Sequence, residues 1–87
     1  MAVLSVLARI DEHRRDRLLE ELRHVEGVTP FGLGEQDRLG FFIEAPTLAS
    51  AESILASKID PLEGMHAAWP VFAKEDPIVA PPATRRG

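Results

Sequence analysis

The chain has 87 residues, 45% hydrophobic, 28% charged and 6% aromatic, with a formal charge of −4, three His and no Cys. A domain of this length buries only about 60% of the surface its unfolded chain exposes, so a surface-binding module is expected rather than a deep catalytic cavity. The lack of Cys excludes disulfide frameworks, thiolate zinc sites and thiol nucleophiles, and the longest apolar stretch, Ala2 to Ala8, is too short to span a bilayer.

Ala2 to Ile10 is rich in aliphatic and β-branched residues and stops at Asp11, a good helix N-cap, so it reads as a buried central strand. From Asp11 to Glu26 the apolar residues Leu18, Leu22 and Val25, joined by Leu19, follow a helical stripe, and Gly27 is placed to end it. Val28 to Leu33 and Leu39 to Ala45 are short apolar runs flanking the polar segment Gly34 to Arg38, the pattern of a β-hairpin. Pro46-Thr47 opens a second helix over Leu48 to Lys58, with Leu48, Ala51, Leu55 and Ile59 on one stripe and Asp60-Pro61 as its stop. Gly64 precedes a last extended run, Met65 to Ala73. A domain over residues 1–75 is therefore expected, followed by a disordered Pro-rich tail over residues 76–87.

Strand, helix, strand, strand, helix, strand is the order of the ferredoxin-like split βαβ fold, an α+β class with a four-stranded antiparallel sheet and two helices on one face. Its first and third strands are central and its second and fourth lie at the edges. Pro30 and Pro70 fall in the two expected edge strands, where a missing N–H is tolerated.

Alternation assigns the face left open. Ser5 and Arg9 are expected there with Val3 and Leu7, and Gly40, Phe42 and Glu44 from the third strand join them. From the fourth strand His66, Ala68, Pro70 and Phe72 are expected to be open, with Met65, Ala67 and Val71 in the core. The second strand's register is left open, because a bulge near Pro30 or Gly32 would change it. The face so drawn carries Leu7, Phe42 and Phe72 as an apolar strip beside Glu44, the kind of patch that marks a partner site. A second copy of the chain or the tail is the other expected cover.

No catalytic, cofactor or metal chemistry is expected. His13, His24 and His66 are too dispersed to form a ligand set, and no Walker loop, nucleophile elbow or dinucleotide fingerprint occurs. The chain has no Asn, against the acylphosphatase relatives of this fold, and the heavy-metal-binding relatives need a Cys pair. Arg38-Leu-Gly-Phe-Phe-Ile43 faintly echoes an RNA-recognition domain, but Glu44 stands beside Phe42 and the first strand lacks an aromatic. Two of the ten cations, Arg85 and Arg86, lie in the last three residues, so the body is more acidic than the whole chain. Such a body repels nucleic acid and anionic membranes and suits a partner with clustered Arg or Lys. With no secretory signal evident, a cytoplasmic protein is expected.

Val3-Leu-Ser-Val-Leu, Leu22-Arg-His-Val-Glu-Gly27, Arg38-Leu-Gly-Phe-Phe-Ile-Glu-Ala45 and Leu62-Glu-Gly-Met-His-Ala-Ala-Trp-Pro-Val-Phe72 together resemble the NapD family. That family comprises cytoplasmic chaperones of the periplasmic nitrate reductase, and the resemblance runs from about Val3 to Glu75. It implies a ferredoxin-like fold, no enzymatic activity, and binding of the reductase's twin-arginine signal peptide as a helix across the open sheet face until the molybdenum cofactor is inserted. Ser5 and Leu7 match the family's first-strand pattern, Glu44 the carboxylate ending the third strand and Phe72 the aromatic closing the fourth. Arg15 and Trp69-Pro70 depart from it. Glu44 is the residue suited to Arg pairing, with Leu7, Phe42 and Phe72 as apolar anchors.

The alternative is a dimeric small-ligand-sensing or oligomerisation domain of the same fold. The edge prolines oppose the strand pairing that such a dimer uses, and a monomer is expected.

Overall fold

The computed structural model describes residues 1–76. Strand β1 (Ala2–Ile10) buries Leu4, Val6, Ala8 and Ile10 on one side and turns Val3, Ser5, Leu7 and Arg9 to the other. At Asp11 the carboxylate accepts the His13 N–H at 3.0 Å and closes a 3-10 turn, Glu12–Arg14, that leads into α1 (Arg15–Arg23). The helix is shorter than the periodicity predicts at both ends. Its entry is spent on that tighter turn, and its exit is tightened when His24 and Val25 donate to Glu21 and Leu22, three residues back. Leu18 and Leu22 are its fully buried residues.

Strand β2 (Val28–Gly32) and β3 (Arg38–Ala45) form the expected hairpin. Helix α2 (Leu48–Ile54) begins in a capping box in which the Thr47 hydroxyl accepts from the Ser50 amide and the Ser50 hydroxyl accepts from the Thr47 amide. It widens into a π turn over Leu55–Ile59, where the Asp60 amide donates to the Leu55 carbonyl at 2.8 Å. Two features favour the widening: Pro61 has no N–H to extend the α ladder, and the Ser57 hydroxyl donates to the Ser53 carbonyl at 2.6 Å. Leu55 and Ile59 both remain in the core. Strand β4 (Met65–Glu75) closes the fold.

The sheet order is β2-β3-β1-β4 with every neighbouring pair antiparallel, so β1 and β3 are central and the proline-bearing strands are at the edges. Both helices pack on one face over Leu39, Phe41 and Ile43 of β3, Val28 of β2 and the buried side of β1. The β1–β3 and β2–β3 registers run unshifted, so no bulge occurs at Pro30 or Gly32. The β1–β4 register shifts twice, between Ser5 and Val6 and between Arg9 and Ile10. Of the tail expected over residues 76–87, only Asp76 lies within the described residues, and its amide donates to the Met1 carbonyl at 3.1 Å.

Arg15, a departure from the family pattern in sequence, has a local role here. Its Nη1 donates to the Glu35 carbonyl at 3.1 Å and to the Arg38 carbonyl at 2.9 Å, tying α1 to the hairpin loop. Three glycines, Gly27, Gly34 and Gly64, have positive φ, and two of them make a contrast. Gly27 (φ +85°) and Gly34 (φ +87°) lie in the left-handed region, but a Cβ on Gly27 would collide with the Glu44 carbonyl whereas one on Gly34 would meet open space. Gly34→Ala should therefore cost about 1 kcal/mol from the backbone alone, and Gly27→Ala about 3 kcal/mol because the β3 backbone must also move. Urea denaturation of the two variants reads the difference.

Candidate functional site

The face away from the helices is built in rows across the strands. One row is Thr29, Phe42, Ser5 and Phe72, and the next is Phe31, Gly40, Leu7 and Trp69, in the order β2, β3, β1, β4. Toward one end lie Glu44, Val3 and Lys74, and toward the other Arg38, Arg9 and Ala67. Directly paired residues of antiparallel strands share a face, so these rows follow from the register.

Aromatic rings make two walls. On the β2–β3 side Phe31 and Phe42 stack with centroids 4.9 Å apart at 36°. Phe31 lies over Gly40, where a Cβ would overlap its ring, and this is why Gly40 is buried although it belongs to the open face. On the β4 side stand Trp69, 40% exposed, and Phe72, 57% exposed, facing Phe42, 41% exposed. Between the walls the floor is the smaller Ser5 and the half-buried Leu7. The result is an apolar groove running along β1. Glu44 makes no hydrogen bond or ion pair through its side chain among the described residues, and neither does Arg9.

Ser5, Leu7, Arg9, Phe42, Glu44 and Phe72 thus lie together on one face, as alternation predicts, with Gly40 beneath Phe31. Three expected members, His66, Ala68 and Pro70, do not. Ala68 pairs with Ala8 and packs against the core, and His66 is the extra residue of the bulge between Arg9 and Ile10. The second bulge leaves Val71 unpaired and 53% exposed, returns Phe72 to the open face and pairs Pro70 with core-facing Val6. Ala67 and Trp69 take the open positions that strict alternation gives to Ala68 and Pro70. Phe31 and Trp69 are the two groove residues that sequence reasoning missed. An aromatic directly beside each edge proline, Phe31 after Pro30 and Trp69 before Pro70, is the available signal for a lining role, but their facing depends on register.

A depression of about 660 Å³ opens at the end of the helix layer, lined by Val25, Gly27, Pro46 and Ile54 and reaching Glu44, with Glu26 and Lys58 also beside it. No group of three or more His, Asp or Glu suited to holding a metal ion occurs among the described residues, and none of their helices is long and apolar enough to cross a membrane.

The strand order and the one-sided helices define a ferredoxin-like α+β domain with an open sheet face. The same fold is found in three solved structures. The Escherichia coli Tat proofreading chaperone NapD aligns with a TM-score of 0.71 at 17% identity, covering 98% of this chain and 87% of NapD. The hypothetical protein PHS023 from Pyrococcus horikoshii aligns at 0.77 with 14% identity, covering 90% of this chain and 94% of that one. E. coli AsnC aligns at 0.68 with 15% identity, and the match spans 54% of its length. No family model and no curated protein matches the sequence.

Gly40 provides a direct test of the groove's wall. Gly40→Ala should displace the Phe31 ring, abolish the contacts between Phe31 and Phe42 seen as nuclear Overhauser effects, and cost about 1 kcal/mol of stability. Retention of those contacts would show that the ring does not rest on the β3 backbone.

Proposed function

We propose that this chain is a chaperone of the NapD kind, which binds the twin-arginine signal peptide of the catalytic subunit of a periplasmic nitrate reductase on its open sheet face. Binding delays export of the subunit until its molybdenum cofactor is inserted, a role carried out in the cytoplasm. The observation that carries this reading is the groove between the Phe31–Phe42 and Trp69–Phe72 walls, with the unpartnered Glu44 toward one end. The likeness to NapD supports the fold that builds such a face.

The physical fit is one of size and charge. β3 and β4 are two strand spacings apart, about 10 Å, and an α-helix with its side chains is about 10–12 Å across. An apolar helix seated over Ser5 and Leu7 would therefore have aromatic rings on both flanks. An arginine pair at its start offers guanidinium donors to the Glu44 carboxylate, a charge-assisted bond that a neutral amide would not replace. Exposed aromatic residues are also the usual carriers of binding energy at such surfaces.

A second reading, a dimeric small-ligand or oligomerisation module, draws on exposed Trp69, Val71 and Phe72 along the edge strand β4. Pro70 and the bulge at Val71 interrupt that edge, and the body's acidity favours the basic peptide. Sedimentation separates the two, since a tight dimer indifferent to peptide supports the module.

Phe42→Asp should weaken binding of a twin-arginine peptide by more than about 1 kcal/mol, roughly fivefold in Kd, with the fold retained. Trp69 is the sole tryptophan, so its emission should shift to the blue as peptide covers it. Amide shifts on titration should concentrate in β1, β3 and β4 and vanish with a peptide whose two arginines are glutamines. Undiminished affinity of the Phe42→Asp variant would place the peptide elsewhere.

A further inference from the structure

The charges flanking the groove are arranged with a direction, because the cation at the Glu44 end, Lys74, lies 3.9 Å from the Asp76 carboxylate and leaves Glu44 as the unpaired charge there. Glu44 pairs across the sheet with Val3, and Arg38 pairs with Arg9, so the two ends are separated along β1 by the run from Val3 to Arg9. At about 3.4 Å per residue this run is about 20 Å long. The carboxylate of Glu44 and the guanidinium of Arg9 are exposed, lie on the same face and have no side-chain partner among the described residues. Arg38 stands beside Arg9 with only long contacts, 3.9 Å to Glu35 and 4.0 Å to Asp37. Like charges side by side on adjacent strands are mutually unfavourable, and a partner that brings negative charge to that end relieves them.

A helix carries such charge on its own backbone. Its last four carbonyls are unbonded and its dipole places partial negative charge at the C-terminal end, where cations stabilise it. A span of about 20 Å corresponds to about thirteen helical residues at 1.5 Å each. We infer that the groove is polar in direction: it seats a helix of about thirteen residues parallel to β1, its basic N-terminal end at Glu44 and its C-terminal carbonyls over Arg9 and Arg38. The inference rests on the peptide-binding reading and adds to it an orientation, a length and a role for the two arginines. The apolar walls occupy the middle of that span, at Phe42, Leu7, Trp69 and Phe72, so the residues between the helix ends must be apolar on the side facing β1.

The test uses the full chain and a synthetic peptide with two adjacent arginines before an apolar helical stretch of about thirteen residues, carrying a nitroxide at one end or the other. A label at the N-terminal end should broaden the amides of Val3, Glu44 and Lys74, and one at the C-terminal end those of Arg9, Arg38 and Ala67. Arg9→Glu should raise Kd about fivefold while leaving the N-terminal label's broadening pattern in place. The reversed pattern, or equal broadening of both ends by either label, would overturn the orientation while leaving peptide binding intact. Absence of any peptide-dependent shift in the unlabelled titration would overturn the binding reading itself, and the orientation with it.

Discussion

Strand β1 is hydrogen-bonded along both edges, and its two-residue alternation decides what every other element does. Leu4, Val6, Ala8 and Ile10 form the floor on which α1 and α2 pack, while Val3, Ser5, Leu7 and Arg9 form the floor of the groove. A shift of one residue in this strand would put Arg9 into the core and Leu4 into solvent, so burial on one face fixes composition on the other. Among the described residues the two α-helices both lie on the same side of the sheet, and the second face stays uncovered.

That uncovered face is shaped by side-chain size rather than by backbone curvature. A glycine at position 40 lets Phe31 fold inward from the edge and stack on Phe42, which moves aromatic surface from the rim toward the centre of the sheet. Ser5, opposite Phe42 on one side and Phe72 on the other, is the low point between them. Large residues on the two strands flanking β1 and a small one on β1 itself give a trough, whereas the reverse order would give a ridge on which a helix could not settle.

The two central strands, whose mutual register runs straight, were legible in the sequence. In β1 and β3 the alternation of apolar with polar or small residues gave both faces, and Pro30 and Pro70 identified the edges. β4 was legible as a strand but not in its facing. Its sequence from Met65 to Ala73 is almost uniformly apolar or small, its polar residue His66 sits in a bulge, and a second bulge changes the phase again within the strand. His66, Ala68 and Pro70 leave the face for that reason, and Ala67 and Trp69 enter it. Phe31 depended on whether β2 carried a bulge, which Pro30 and Gly32 both permit. The helices were found by their stripes, yet their ends were not, because tight turns after Asp11 and before Gly27 and the π turn before Pro61 arise from capping and competing side-chain bonds rather than from periodicity.

The Arg15 guanidinium, bonded to the Glu35 and Arg38 carbonyls, makes the two sides of the trough mechanically unequal. A load on Phe42 is borne by β1, by β2 and, through the clamped loop, by α1. A load on Phe72 is borne by the backbone bonds to β1, since β4 is exposed from Trp69 onward and meets the helix layer there through the Glu75 carboxylate at the Leu48 amide. A helix seated there as proposed would therefore meet a braced side at Phe31–Phe42 and a less braced one at Trp69–Phe72.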